Sequence, residues 1–285
     1  MNPYEKVVSE FSRLLKEAKG YPLGQFEPMV RRETPPGAPS ALFFAPHPDD
    51  ECISGGLAVR LRREARMNVI NVAVTQGSRK ERQAERFREL EKACRYLGFG
   101  LLATGPNGLE RINLKTRERD PRHWAACVKI IADILAQHRP RVIFFPHDED
   151  WNSTHIGTHF LVMDALKSMP ADFETCLAET EFWGQMDDPN LMVEISNEDL
   201  AEMVTATTFH VGEVNRNPYH ALLPAWMMDN VRRGTELVGG QGGPAPDFTF
   251  AALYRLRRWK GGRAIPMFEG GMQFAKGANV GDLFR

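Results

Sequence analysis

The sequence predicts an α/β protein built on a mostly parallel sheet with helices on both faces. Three observations predict it. Short, almost wholly apolar runs recur at residues 42–45, 69–75, 101–103 and 142–145, as strands buried on both faces do. Stretches with apolar residues at helical spacing separate them, so β and α alternate along the chain. Two dense clusters of histidine and carboxylate follow the first and last of these strands, and open α/β sheets bind ligands beyond their strand ends. The expected architecture is Rossmann-like, with an irregular C-terminal elaboration where the rhythm fails after Trp183. No Gly-x-Gly-x-x-Gly follows the first strand, which argues against a dinucleotide site.

Residues 4–18 carry Val7, Val8, Phe11, Leu14 and Leu15 at helical spacing and read as an amphipathic helix. Residues 20–40 hold five prolines and three glycines, the composition of a linker or wrapped arm. Strand 42–45 is followed by a helix over 53–65, then strand 69–75 and the turn Gln76-Gly77-Ser78. A charged helix over 81–97 closes at Gly98, the residue best suited to a left-handed C-cap. Strand 101–103, helix 124–137 and strand 142–145 lead to the second cluster, which continues as a helix over 158–166. Strands are expected at 175–183 and 192–195. Ser196 with Asp199 forms a capping-box pattern. Residues 219–238 are mostly helical, with Pro224 a point of breakage or restart. A glycine-rich loop at 239–246 precedes a final apolar element at 248–256. The tail 261–285 has no clear period and is expected to wrap or fray. The implied division is 1–40, an N-terminal helix and arm; 41–260, the main domain; and 261–285, a tail.

The formal net charge of −1 provides no basic field for nucleic acid or anionic lipid. No apolar run approaches the roughly eighteen residues of a membrane span. The N-terminal residues lack a basic start and an apolar core, so no secretory signal is expected and the location is read as cytoplasmic. Cys52, Cys94, Cys127 and Cys176 are scattered, with no CxxC pair, and read as reduced thiols. A homo-oligomer is left open.

The first cluster, His47-Pro48-Asp49-Asp50-Glu51, packs one imidazole and three carboxylates into five residues. Such carboxylates repel one another unless a cation is present. His47 and Asp50 offer the mixture of N and O that zinc accepts, which leaves Asp49 free as a base. The competing reading is a helix N-cap, with Asp49 or Asp50 as the cap and Pro48 stiffening the turn. The second cluster runs from Pro146 to His159 and contains His147, His155 and His159 with Asp148, Glu149 and Asp150. His155 and His159 are four apart and share a helix face, so a two-histidine metal pair is open, as is packing of His159 within its helix.

The stretch Ala45-Pro46-His47-Pro48-Asp49-Asp50-Glu51 resembles the PHPDDE/AHPDDE signature of the PIG-L/LmbE-like zinc-dependent de-N-acetylases. The resemblance runs from about Leu42 to Leu166 and weakly on to Tyr254. It implies a catalytic domain in which His47, Asp50 and His155 hold one Zn²⁺ (Fe²⁺ fits the same ligands) and Asp49 is the general base. In the family's HPDH motif the first histidine stabilises the charged transition state. This chain carries Asn152 there, and Thr154 at the aspartate. Asn152 can donate a hydrogen bond to an oxyanion but cannot transfer a proton. His147, His159 or His210 then become candidates for the missing role. Thr208-Phe209-His210 sits where relatives carry a His-x-Ser-Gln segment, which makes His210 a candidate either as an acid or as a support behind the ligands. It is preferred to His159, which lies one turn beyond His155 and is expected to be held within its own helix.

Arg86 resembles a substrate-contacting arginine of the family; otherwise it joins ion pairs on a solvated helix face. Arg232-Arg233-Gly234 resembles a late structural turn. Glu51 is expected to support the motif through hydrogen bonds. The implied activity is removal of an acetyl group from an N-acetylglucosamine-type conjugate. Hydration by the same fold, or a metal-binding module without catalysis, are the alternatives.

Overall fold

In a computed structural model that describes residues 2–284, strand β1 (Ser40–Ala45) sends its side chains alternately into two cores. Ala41, Phe43 and Ala45 enter one, and Leu42 and Phe44 the other. All five are buried. That is the period-two geometry of a strand covered on both faces, and each large side chain contributes about 1.5–3 kcal/mol by leaving water. Met1 and Arg285, the ends of the arm and of the tail, lie outside the described residues.

Four parallel partners extend the sheet: β2 (Asn68–Ala73), β3 (Gly100–Ala103), β4 (Val142–Pro146) and β5 (Thr175–Thr180). The spatial order begins β3-β2-β1-β4-β5, so the winding direction reverses between β1 and β4. Beyond β5 the sheet becomes mixed. Strand β7 (Ala251–Lys260) pairs antiparallel with β5 and with β6 (Leu191–Glu194). The tail adds β8 (Arg263–Pro266) on β7 and β9 (Met272–Phe274) on β6. The tail expected to wrap or fray therefore supplies two strands, and its 3₁₀ turn Val280–Phe284 buries Val280, Leu283 and Phe284.

The helices are α1 (Pro3–Ala18), α2 (Asp50–Ile53), α3 (Gly56–Arg63), α4 (Lys80–Leu97), α5 (Leu114–Arg119), α6 (Pro121–His138), α7 (Ser153–Lys167), α8 (Asn197–Thr207), α9 (Val211–Arg216) and α10 (Tyr219–Leu237). Cys52, Leu57, Leu90, Met203 and Met227 bring α2, α3, α4, α8 and α10 onto one face of the sheet. Trp124, Ile131 and Leu161 bring α6 and α7 onto the other. The expected capping box opens α8, and Gly98 closes α4 at φ 67°.

Two helical expectations change. The single helix over 53–65 is broken at Ser54–Gly55, because the chain folds back so tightly that the Glu51 carbonyl occupies the place of a Gly55 Cβ. Pro224 does not break α10, which continues through it, with Leu223 and Met227 buried on either side. Helix α1 has no buried residue. The arm behind it is wrapped: the Arg31 guanidinium donates to Tyr96 O at 2.9 Å and pairs with Glu202, and Gly24 N–H donates to Thr208 Oγ1 at 3.2 Å. No helix among the described residues is long and apolar enough to cross a membrane.

Gly157 sits in α7 against the backbone of Ile112 and Asn113, where a Cβ would overlap the Ile112 carbonyl. Alanine gains about 1 kcal/mol in helix propensity over glycine, but overpacking costs about 1–3 kcal/mol and more against backbone. Gly157→Ala should therefore lower stability by about 1 kcal/mol or more in denaturant unfolding. An unchanged midpoint would show that α7 and the 112–113 segment can separate freely.

A candidate metal centre at the strand ends

The reversal between β1 and β4 opens a crevice at their C-terminal ends, and both polar clusters fall there. His47 follows β1 and Asp50 opens α2. His155 lies in the first turn of α7, which is reached from β4. His155 Nε2 is 3.3 Å from His47 Nδ1 and 3.3 Å from Asp50 Oδ2, and His47 Nδ1 is 3.6 Å from the same oxygen. Zinc bonds of about 2.0–2.1 Å in a tetrahedron set ligand atoms about 3.3–3.4 Å apart. Two ring nitrogens converging on each other and on one carboxylate oxygen, at that spacing, fit a divalent cation. His47 N–H also donates to Asp50 Oδ2 at 2.8 Å, which fixes the carboxylate.

The electrostatics agree with that fit. Burial disfavours ionisation of Asp50, yet the His155 and His47 rings hold its carboxyl well below the usual range. Burial also works against a charged His155, but Asp50 and then Asp150 outweigh it and push the ring up to about 10. Burial lowers His47. Asp150 was only one of several carboxylates in the sequence cluster. The structure sets its Oδ2 at 3.4 Å from His155 Nδ1, the carboxylate-to-imidazole contact that orients a metal-binding ring.

Asp49 stands at the N-cap position of α2 but makes no capping hydrogen bond. Its carboxylate is thus not engaged as a cap. Its backbone is strained, at φ 120° and ψ −27°. Two bonds hold it there. Asp49 N–H donates to Glu51 Oε2 at 3.0 Å, and Arg86 Nη2 donates to Pro48 O at 2.9 Å. Burial, then the Asp50 charge, pushes the Asp49 carboxyl up to about 8.

His210 is placed differently from the sequence expectation of a group acting on substrate. It is fully buried at the start of α9, and its Nε2–H donates to Glu51 Oε1 at 2.8 Å. That oxygen also accepts the Cys52 thiol at 3.0 Å. His210 therefore reaches the motif only through Glu51. Burial opposes its charge, but Glu51 raises it above the ordinary histidine value. His147 and His159 are also committed, His147 Nε2 to Gly184 O at 2.9 Å and His159 Nδ1 to Pro146 O at 3.0 Å.

The crevice has two lobes that share His47, Gly77, Ser78 and Asn152. The inner lobe, about 150 Å³, is walled by Asp49, Asp50, Arg86, Trp183, Arg216 and Tyr219. The outer lobe, about 510 Å³, is walled by Lys80, Gln83, Arg111, Asn113 and Thr154 among others. Asn152 is the N-cap of α7: its Oδ1 accepts Thr154 N–H at 2.8 Å, so its amide nitrogen is the free end. Arg86 faces the inner lobe instead of joining a solvated helix face. Arg216 and Tyr219 had no sequence signal of their own; an arginine and a tyrosine at short helix ends read as surface and core.

Residues 42–166 match the family model of PIG-L, GlcNAc-PI de-N-acetylase. No curated protein matches the chain significantly. Among solved structures, the N,N′-diacetylchitobiose deacetylase of Pyrococcus horikoshii is similar over 92% of this chain and 96% of its own, with 18% identity and a TM-score of 0.57. The 4-carboxy-2-hydroxymuconate hydratase of Pseudomonas putida is similar over 76% of this chain and 95% of its own, with 15% identity and a TM-score of 0.56. A zinc-inhibited form of teicoplanin deacetylase is similar over 77% and 98%, with 14% identity and a TM-score of 0.53. At these identities the structural likeness establishes a shared fold.

Two measurements test the site. Asp50→Ala and His155→Ala should each bind markedly less zinc than the parent protein by elemental analysis; full occupancy in either would refute the ligand set. Asp49→Gly should raise the stability of the metal-free protein. Relief of strain is worth about 1–3 kcal/mol, against about 0.5–1 kcal/mol for glycine's freedom when unfolded. A lower denaturation midpoint would show that φ at Asp49 carries no strain.

Proposed function

We propose, from the PIG-L match over residues 42–166 and the geometry behind it, that this protein is a metal-dependent hydrolase that removes acetyl from N-acetylated sugar-type substrates. The observation that carries the reading is Asp49: a buried, uncapped carboxylate in a strained turn beside three metal-spaced ligands. A purely structural metal site needs no such group.

His47, Asp50 and His155 would hold the cation. When bound, zinc supplies Lewis acidity for the amide carbonyl and brings a water molecule toward a neutral pKa. Asp49 takes a proton from the attacking water and returns it to the departing nitrogen. The Asn152 amide nitrogen, turned into the crevice by the helix cap, donates to the carbonyl oxygen as it gains charge. Arg86 is assigned to the substrate, while its bond to Pro48 O also braces the turn that carries Asp49. The inner lobe takes the acetamido unit and the outer lobe the aglycone. His210 and Glu51 position Asp49 and do not touch the substrate.

The test is acetate release from a panel of N-acetylglucosamine conjugates. Chelation should abolish it and zinc restore it. Asp49→Asn should keep the metal and lower kcat by about 10²–10⁴-fold, the contribution of a general base. Loss of metal in that variant would exchange the roles of Asp49 and Asp50. Addition of water to an unsaturated acid without acetate release would make the protein a hydratase.

A further inference from the structure

The proposed reaction leaves one position without an obvious occupant. Where the PIG-L signature has a histidine to stabilise the transition-state charge, this chain has the neutral Asn152, and the histidines named as its replacements are bonded elsewhere. His147 is held by Gly184, His159 by Pro146 and His210 by Glu51, and none of the three walls the inner lobe. The occupant is to be sought among the donors that do.

Four of these donors are less well prepared than the fifth. Trp183 is 37% exposed. Arg216 is exposed and paired with Glu213 at 2.5 Å. Arg86 is engaged with Pro48 O. Ser78 lies in a loop whose preceding Gly77 has φ 85°.

Tyr219 is buried, with 6% of its surface accessible, and it opens α10 immediately after Pro218. Its ring is wedged edge-on against Trp183, with centroids at 5.7 Å, and against Phe182, at 6.0 Å. The hydroxyl has one hydrogen to give and two lone pairs to receive. Asn217 Nδ2 donates to the phenolic oxygen at 2.8 Å and so occupies a lone pair. Among the described residues no protein acceptor takes the phenolic hydrogen. A hydroxyl on a buried ring, oriented by one bond and with its hydrogen unassigned on the wall of a lobe shared with His47, Asp49 and Asp50, is a preorganised donor.

We infer that Tyr219 is a catalytic residue, donating its phenolic hydrogen to the substrate oxygen that becomes negatively charged. The inference rests on the hydrolase reading for the identity of that oxygen. Tyr219 shares the charge with Asn152 and transfers no proton; the proton moves through Asp49. Burial raises the phenol above its ordinary value, which keeps the hydrogen in place. The assignment also gives a purpose to the sequence Asn217-Pro218-Tyr219: proline sets the backbone direction, and asparagine fills the lone pair that would otherwise let the hydroxyl turn.

Tyr219→Phe keeps the aromatic packing and removes only the hydroxyl. Zinc content and thermal stability should match the parent protein. The turnover number should fall about 10²–10³-fold with little change in KM, the usual loss for one oxyanion donor. A second readout is independent of turnover. Methylphosphonate, a tetrahedral anion, should bind the zinc-loaded Tyr219→Phe protein at least about tenfold more weakly by calorimetry, a difference of about 1.4 kcal/mol. Asn217→Asp replaces the donor by an acceptor and turns the phenolic hydrogen away from the lobe, so it should lower kcat in the same direction. Tyr219→Phe with kcat or methylphosphonate affinity within threefold of the parent would overturn the assignment. If the parent protein releases no acetate but Tyr219→Phe still weakens methylphosphonate binding, the hydrolase reading fails and Tyr219 stands as an anion donor.

Discussion

The Glu51 carboxylate is the constraint on which the motif depends. It is wholly buried, and both of its oxygens are occupied. One accepts the amide of Asp49; the other accepts His210 and the Cys52 thiol. A buried charge is tolerated only when its partners are in place, and removing one partner typically costs about 3–5 kcal/mol. The chain separation is large: His210 lies 159 residues beyond Glu51. The two halves of the chain are therefore joined at the point where the strained turn must be held. If the second half did not dock, Glu51 would lose His210, its one partner from that half, and the turn at Asp49 would be left to the bonds within the first half.

Sheet topology explains why the second half can dock there. The parallel portion, β3-β2-β1-β4-β5, builds the crevice and carries both histidine–carboxylate clusters. The antiparallel return of β7 beside β5 then carries the sheet on to β6 and β9. The chain between β6 and β7 is thereby committed to α8, α9 and α10; α8 packs over α2, α3 and α4, and α10 packs on α8 and β7. Ion pairs fix the register of that docking: Glu213 of α9 pairs with Arg82 of α4 at 2.9 Å and with Arg86 of α4 at 3.7 Å. His210, Arg216 and Tyr219 all come from this segment. It lies outside residues 42–166, so the family match alone could not have supplied them.

What the sequence made legible follows from how local each signal is. The strands of the parallel portion were readable because burial on both faces leaves an uninterrupted apolar run. The clusters at 47–51 and 147–155 were readable because so many ionisable groups rarely share a turn. The break between α2 and α3 was not, because it depends on the Glu51 carbonyl filling the space above Gly55. Strands β8 and β9 were not, because short edge strands take their order from a partner rather than from their own pattern. His210 was singled out, but its partner could not be: a pairing across 159 residues has no periodicity to read. Asp150 was within reach, since a carboxylate near a ligand histidine is a recurrent arrangement, but the cluster offered three carboxylates and no means of ranking them.

The replacement of a histidine by Asn152 has a local logic. At the N-cap of α7 an asparagine oxygen satisfies Thr154 N–H, a contact worth about 1 kcal/mol, and it fixes the start of the helix that carries His155. The same bond decides which end of the amide faces the crevice, so one residue caps the helix and presents a donor. On the proposed reading this has a chemical consequence. The donors set around the developing charge, Asn152 and Tyr219, are both neutral. Every nearby histidine is either a metal ligand or tied to a protein acceptor. Asp49 is then the one group on the inner wall suited to move a proton, and it must serve both the attacking water and the departing nitrogen. A carboxylate with two such duties gains from being held rigidly, and the strained turn, the Glu51 bond and the Arg86 brace together hold it.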